Sequence, residues 1–149
     1  MRIVIDADAC PKAVKNICLE LAKKYGLTVT MVLDDAHVLS GDFETIVVGK
    51  DKDAVDHKIV EISDINDILI TQDYGLASIL IDKIFGIINP SGFKYTKWNI
   101  DTLMFQRHMS AKERAGGKRT KGSKKREDNQ DKIFREILEQ IVKQLAVRK

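Results

Sequence analysis

The sequence predicts an α/β fold with a doubly wound, mainly parallel five-stranded sheet and helices on both faces. Short apolar runs rich in β-branched residues alternate along the chain with segments whose apolar residues recur at helical spacing. Strands that alternate with helices form parallel sheets covered by those helices. The chain has 149 residues, 44% of them hydrophobic and 32% charged, which is enough for one domain with its own core.

The five predicted strands are short segments of Ile, Val, Leu, Met and Thr. They lie at residues 2–5, 27–33, 43–48, 67–71 and 84–88. Continuous apolar runs of this length are typical of strands that are buried on both faces. The segment Asn89–Gly92 follows the last strand and has the composition of a turn.

The first helix begins at Pro11, which suits a first helical turn, and ends at Gly26. Its apolar residues share one face and comprise Val14, Ile17, Cys18, Leu21, Ala22 and Tyr25. Further helices are predicted at about 53–62, 74–81 and 99–108, and the Asp53 side chain can cap the first of these.

The chain divides by composition into three parts that form a single domain. Residues 1–109 form the predicted α/β core, residues 110–129 a basic loop containing glycine, and residues 130–149 an amphipathic helix that completes the domain. The apolar face of this last helix could pack on its own sheet or on a second copy of the chain. The sequence does not decide between these, and it leaves the oligomeric state open.

Several classes of protein are excluded by simple patterns. The longest apolar runs are far shorter than the ~20 residues of a membrane span, so no membrane partner is expected. An acidic residue follows only three apolar residues at the N-terminus, which is unlike a signal peptide. Two cysteines cannot form a disulfide framework or a four-cysteine zinc site. We therefore expect a cytoplasmic protein.

Charge is distributed unevenly along the chain. Residues 1–106 carry 11 Lys and Arg against 16 Asp and Glu, a net −5, whereas residues 107–149 carry 14 against 6, a net +8. Such an asymmetry indicates an anionic partner, for which RNA or another polyanion is the natural candidate.

A group of aspartates falls at one edge of the predicted sheet. Ligands of open α/β sheets bind at the carboxyl ends of the strands. The aspartates that follow a strand and so lie at this edge are Asp6, Asp8, Asp51, Asp53, Asp56 and Asp73. Asp34 and Asp35 also follow a strand, but a surface turn explains them. Three others, Asp64, Asp67 and Asp82, fall at the opposite edge. If the first and fourth strands are neighbours, Asp6 and Asp73 face one another.

Clustered carboxylates repel one another, by about 4 kcal/mol for two charges 4 Å apart at an effective dielectric of about 20. A divalent cation offsets this repulsion, and oxygen ligands suit Mg²⁺ or Mn²⁺. The alternative is that the acids cap helices and turns. On the first interpretation the metal ligands are drawn from Asp6, Asp8, Asp53, Asp56 and Asp73.

Two motifs resemble a known bacterial family. The opening IDADACP at Ile5–Pro11 resembles the VDADACP opening of the YaiI/YqxD (UPF0178, DUF188) proteins, and the match includes DILITQDYGLA at Asp67–Ala77. It continues through Asn89–Gly92 to Arg107 and Arg114, so that it covers nearly the whole chain.

The family is grouped with PIN-like domains, many of which are metal-dependent ribonucleases. The resemblance thus implies a PIN-like sheet with acids at its carboxyl edge. It implies that Asp6, Asp56 and Asp73 are the catalytic acids, with Asp8 and Asp53 as further ligands.

The basic region supplies candidates for nucleic-acid contact. They are Arg107, Arg114, Lys118, Arg119, Lys121, Lys124, Lys125 and Arg126. Few aromatic residues are interleaved with them, since Tyr95, Trp98 and Phe105 lie upstream, so contact with phosphates is predicted rather than base stacking. A solvated basic surface without a ligand is the plain alternative.

The sequence therefore favours a metal-dependent phosphodiesterase that acts on RNA. A nucleic-acid-binding module without catalysis is the main alternative. A phosphatase of the haloacid-dehalogenase type is a weaker one. Asp6-x-Asp8 after the first strand resembles the opening of that fold, where the first Asp is the nucleophile, but Cys10 and Pro11 depart from its pattern.

Overall fold

The computed structural model describes residues 1–34, 41–51, 53–115 and 128–148. The strands are β1 (Arg2–Asp6), β2 (Thr28–Leu33), β3 (Glu44–Val47), β4 (Asp67–Ile70), β5 (Gly86–Asn89) and β6 (Phe93–Lys94). The helices are α1 (Lys12–Tyr25), α2 (Ala54–Ile62), α3 (Tyr74–Leu80), α4 (Lys97–Ala115) and α5 (Asp128–Arg148).

The strands form one sheet in the order β3-β2-β1-β4-β5-β6. Strands β1 to β5 run parallel, and β1 lies between β2 and β4 with Ile5 opposite Met31 on one side and Ile70 on the other. The predicted doubly wound, mainly parallel sheet is confirmed. The prediction of five strands is wrong by one, because β6 pairs antiparallel with β5 after the turn at 89–92 and is too short to show a pattern.

Helices cover both faces of the sheet, as predicted. In β1, Ile3 and Ile5 belong to the core formed with α1 and α5, whereas Val4 belongs to the core formed with α2, α3 and α4. Alternation of this kind follows from the two-residue period of a strand. Both faces of the central strands are therefore dry, which accounts for their unbroken apolar sequence.

The last helix packs on the sheet of its own chain. Phe134, Leu138, Val142 and Leu145 of α5 are fully buried in the same core as α1 and β1. They recur at helical spacing, so one face of α5 is apolar along its length. The structure thus decides the alternative that the sequence left open in favour of packing within the chain.

The helix α4 is longer than predicted. It runs over Lys97–Ala115, so the expectation of a helix at 99–108 followed by a loop at 110–129 is wrong for residues 110–115, and α5 already begins at Asp128. Residues 110–115 read Ser-Ala-Lys-Glu-Arg-Ala, and Ala, Lys, Glu and Arg are strong helix formers. Residues 110–115 carry no apolar side chain larger than alanine, which is why periodicity did not reveal this part of the helix.

The amino edge of the sheet holds a closed ion pair. Arg2 at the start of β1 donates to both carboxylate oxygens of Asp67, at 2.7 and 3.3 Å, and Asp67 is 4% exposed. The hydrogen bond and the charge of Asp67 raise the pKa of Arg2 above its ordinary value. The acid at this edge is therefore neutralised by its own chain.

Among the helices whose residues are described, none combines the length and the apolar character needed to cross a bilayer.

Packing of α5 on its own sheet can be tested with Leu138→Ala. Removing a fully buried leucine should lower the free energy of unfolding by about 2–5 kcal/mol, because a cavity remains. The matched control is Val147→Ala on the same helix, where the side chain is 86% exposed and the change should stay within about 0.5 kcal/mol. Urea denaturation measures both. Equal stability of the two variants would contradict the packing described.

Candidate functional site at the carboxyl edge of the sheet

The candidate site lies where β1 and β4 end side by side. Asp6 is the last residue of β1, and Thr71 and Asp73 follow β4 directly. The helices that follow these strands leave on opposite faces of the sheet, α1 on one and α3 on the other. A crevice opens at such a reversal, which is where parallel α/β sheets bind their ligands.

Thr71 connects the two aspartates across this crevice. Its hydroxyl donates to Asp6 Oδ2 at 2.8 Å and accepts from the backbone N–H of Asp73 at 3.0 Å. A second link runs from Gln72 Nε2 to the carbonyl oxygen of Ala9 at 2.9 Å. The loops after β1 and β4 are therefore fixed relative to one another by side chains as well as by the sheet.

The buried side chains of Tyr95 and Asn89 hold the backbone of Thr71 in place through hydrogen bonds. The Tyr95 hydroxyl donates to the Thr71 carbonyl oxygen at 3.2 Å and accepts from Asn89 Nδ2 at 2.8 Å. Tyr95 is 1% exposed, and burial raises the pKa of its hydroxyl. Each polar atom of this group has a partner, so the group rigidifies the loop without the cost of an unmade hydrogen bond.

Asp73 also begins the helix α3. Its Oδ1 accepts from the backbone N–H of Leu76 at 3.1 Å, so the side chain caps the helix. This cap fixes the carboxylate at the mouth of the crevice and holds it near the positive end of the helix dipole.

Asp56 reaches the same place from α2. It lies in the first turn of that helix, where its carboxyl group interacts with that of Asp73. Partial burial and the nearby Asp73 carboxyl raise the pKa of Asp56 from 3.8 to about 6, with smaller contributions from the charges of Asp6 and Asp53. The contributions of these neighbouring acids place Asp56 in the same cluster.

Asp6 is partly buried at the end of β1. Burial raises its pKa, the hydrogen bond from Thr71 lowers it, and the charges of Asp73 and Asp8 raise it further. The structure therefore brings together Asp6, Asp56 and Asp73, which come from three separate loops. No salt bridge to any of them is formed by the part of the chain that the structure describes.

The two other predicted ligands lie at the periphery. Asp8 is exposed, and its Oδ2 accepts from the backbone N–H of Asp34 at 2.9 Å. Asp53 is exposed at the start of α2 with φ of 71°, a left-handed conformation that Asp tolerates. Its side chain makes no capping hydrogen bond, so the expectation that it caps this helix is wrong. Both residues add negative charge near the cluster.

A cavity of about 610 Å³ opens beside the acids. Its lining includes Asp6 and Asp73 from the carboxyl edge and Gln106, Arg107 and Ser110 from α4. Ala9, Gln72, Tyr74 and Leu103 complete its lining. Arg107 thus presents a guanidinium, a group that binds phosphates, to the same cavity as the carboxylates.

The other basic candidates are not placed by the structure. Arg114 belongs to α4, but its side chain lies outside the described part. The remaining candidates, Lys118, Arg119, Lys121, Lys124, Lys125 and Arg126, also lie outside the described residues.

Carboxylate oxygens are the metal donors that this cluster offers to Mg²⁺. Within residues 1–34, 41–51, 53–115 and 128–148, no group of three or more His, Cys, Asp and Glu side chains is arranged as a ready-made metal cage. Mg²⁺ in proteins is commonly held by one or two carboxylates, with waters and substrate phosphates filling the other positions. The paired acids Asp56 and Asp73, with Asp6 beside them, meet this smaller requirement.

Sequence reasoning missed the residues that position the acids. Thr71 and Tyr95 carry no charge and make no motif by themselves. A threonine at the carboxyl end of a predicted strand, two residues before an aspartate, was nevertheless a visible signal for Thr71. The role of Tyr95 depends on the hairpin of β5 and β6, which the sequence did not reveal.

Comparison with known proteins places the chain among bacterial relatives. A family model described as "Uncharacterized BCR, YaiI/YqxD family" matches residues 4–144. A UPF0178 protein of Ruminiclostridium cellulolyticum is 40% identical over 144 residues, covering 96% of this chain and 93% of the relative. A UPF0178 protein of Clostridium novyi is 41% identical over 145 residues, covering 96% of each chain.

A third UPF0178 protein, from Oceanobacillus iheyensis, is 43% identical over 128 residues, which cover 83% of this chain and 86% of the relative. No solved structure gives a significant match. The match of the family model and the identities over nearly the full length lead to one conclusion: the chain belongs to the YaiI/YqxD family, whose members carry the name UPF0178.

Proposed function

We propose that this protein is a phosphodiesterase that acts on RNA in the cytoplasm and uses Mg²⁺ or Mn²⁺. The observation that carries the proposal is the meeting of three carboxyl groups from separate loops beside a cavity that also contains Arg107. Membership of the PIN-like superfamily, which the sequence resemblance implies, is part of the same proposal.

The electrostatics of the two sheet edges support this interpretation. At the amino edge, the buried Asp67 is paired with Arg2 at 2.7 Å. At the carboxyl edge, the pKa values of Asp6 and Asp56 are both raised, in part by neighbouring carboxylates. A fold that keeps such a repulsive cluster is expected to use it, because groups with strongly shifted pKa values in a crevice concentrate at functional sites.

Each residue has a role in the proposed reaction. Asp6, Asp56 and Asp73 would hold the cation, and Thr71 would orient the Asp6 carboxylate through its hydrogen bond. Asp56, whose pKa is raised by burial and by the nearby Asp73 carboxyl, would have to lose its proton to bind a cation, because carboxylates bind metals in their deprotonated form. When bound, the cation supplies an activated water and neutralises charge that develops on the phosphate. Arg107, which lines the same cavity, would bind the phosphate.

A nucleic-acid-binding module without catalysis is the second candidate. It is favoured by the lack of a ready-made metal cage among the described side chains. On this alternative the protein binds RNA with an affinity that falls steeply with salt, and added Mn²⁺ produces no cleavage.

The central prediction concerns Asp6→Asn and Asp73→Asn. Loss of a residue that only orients a metal ligand typically costs about 10- to 100-fold, so removing a ligand charge should lower Mn²⁺-dependent RNA cleavage by at least about 100-fold. Asparagine is also a good helix cap, so Asp73→Asn should keep the start of α3. Cleavage of a labelled RNA and the shift of melting temperature on addition of Mn²⁺ are both measured.

The control for these variants is Asp64→Asn at the opposite edge, where the side chain accepts only a local backbone hydrogen bond from Ile65. It should retain cleavage and the Mn²⁺-induced shift. Wild-type values in all three variants would refute the proposed site.

Stability without metal should depend on the ionisation of Asp56. Its pKa is higher in the folded protein, so the folded state binds more protons than the unfolded state between pH 3.8 and about 6. The free energy of unfolding should therefore fall as the pH rises through this interval. Asp56→Asn should flatten the fall and be more stable than the wild type at pH 7, with no gain at pH 3.5. Thermal denaturation in chelator measures this, with Asp64→Asn as the control, and a gain that is equal at both pH values would contradict the cause.

The positioning role of Thr71 gives a separate prediction. Thr71→Val removes the hydrogen bond that lowers the pKa of Asp6, so this pKa should rise. Thr71→Ser retains a hydroxyl and should keep the wild-type value. Titration of the Asp6 carboxyl carbon by NMR measures the difference. A pKa that is unchanged in the valine variant would show that the hydroxyl does not orient this acid.

A further inference from the structure

Helix α4 exposes aromatic side chains on its outer side. Trp98 is 85% exposed and Phe105 is 64% exposed, and Met109 continues the row at 38%. The spacing of seven and four residues places all three on one face of the helix. Large apolar side chains that share an exposed face are typical of an interaction surface.

This outer face is distinct from the candidate site. The cavity beside the acids is lined by Leu103, Gln106, Arg107 and Ser110 of α4. At 3.6 residues per turn, Trp98 and Phe105 point to the other side of the helix. A ligand on this face would therefore bind apart from the cavity beside the acids.

A hollow of about 330 Å³ separates the two aromatic rings, and Asp101 and Thr102 complete its lining. Trp98 and Phe105 are about 10.5 Å apart along the helix axis. Two flat apolar surfaces are thus separated by a carboxylate and a hydroxyl, which can bond the donor groups on the edge of a base.

We propose that the outer face of α4, defined by Trp98, Asp101, Thr102 and Phe105, binds single-stranded nucleic acid by stacking of its bases. Stacking on exposed aromatic side chains together with a positively charged surface is the common way in which proteins hold single strands. The proposal depends on the proposed function only for the choice of RNA as the strand.

Charge favours a polyanion as the occupant. Lys112 lies on the same side of α4 as the aromatic residues, whereas Lys97 is held in an ion pair with Asp82 at 3.0 Å. The sequence that follows the helix, residues 116–127, has six Lys and Arg against one Glu. Lys112 can contact a phosphate of a strand placed on this face.

The composition of this face disfavours a second copy of the chain as its occupant. A row of apolar residues interrupted by Asp101 and Thr102 differs from the continuous apolar seam of paired helices. Residues 116–127 contain no apolar side chain that could cover the aromatic rings.

The chain has a single tryptophan, which makes the test direct. Trp98 fluorescence is titrated with a single-stranded oligouridine in chelator, so that no cleavage occurs. Quenching is expected, and the duplex of the same strand should quench far less because its bases are already stacked. Phe105→Ala should weaken the affinity by about 5- to 100-fold, since one stacked base is lost.

The matched control is Val147→Ala, which removes an exposed apolar side chain on α5 and should bind as the wild type does. Equal affinity of Phe105→Ala and Val147→Ala, or unchanged Trp98 fluorescence with bound RNA, would overturn the proposal. A wild-type dimer that Phe105→Ala dissociates, seen by sedimentation, would assign the face to a second copy instead.

Asp6→Asn separates this proposal from the proposed function. The variant should keep the quenching while it loses cleavage. Retained cleavage in Asp6→Asn would refute the catalytic site and leave the stacking surface standing. If RNA does not quench Trp98 fluorescence in the wild type, the stacking surface is refuted and the catalytic site is left standing.

Discussion

The parallel pairing of β1 with β4 is the constraint on which the site depends. It brings Asp6 to the end of one strand beside Thr71 at the end of the next, although 65 positions separate them in the chain. The Thr71 hydroxyl then joins Asp6 to the backbone of Asp73. The buried Tyr95 holds the Thr71 carbonyl from the other side. The cluster therefore rests on the most buried part of the sheet, and its geometry does not depend on mobile surface groups.

Aspartates have different surroundings at the two edges of the sheet. Asp67 at the amino edge is satisfied by Arg2, so it is structural. Asp56 and Asp6 at the carboxyl edge have raised pKa values and lie near further carboxylates. The cost of this crowding is borne by the folded state, and a bound cation would remove it. We infer that the cluster is kept for binding rather than for stability.

The fold was predictable because the strands are buried on both faces and read as apolar runs. The topological filter selected a larger group of aspartates, and the family resemblance then singled out Asp6, Asp56 and Asp73, which the structure does bring together. Their catalytic role stays a prediction. What sequence reasoning could not supply was geometry without a pattern: the two-residue β6, the polar extension of α4 and the outward direction of Trp98. Helical periodicity reveals only helices with an apolar face, and the second half of α4 has almost no apolar residues.

The most direct test of the account is a crystal soaked in Mn²⁺ and measured at a wavelength where manganese scatters anomalously. The account predicts a peak at the carboxyl edge, about 2.1 Å from oxygens of Asp6 or Asp73, and its disappearance in Asp6→Asn. A fully ordered carboxyl edge without any such peak would contradict a cation site there.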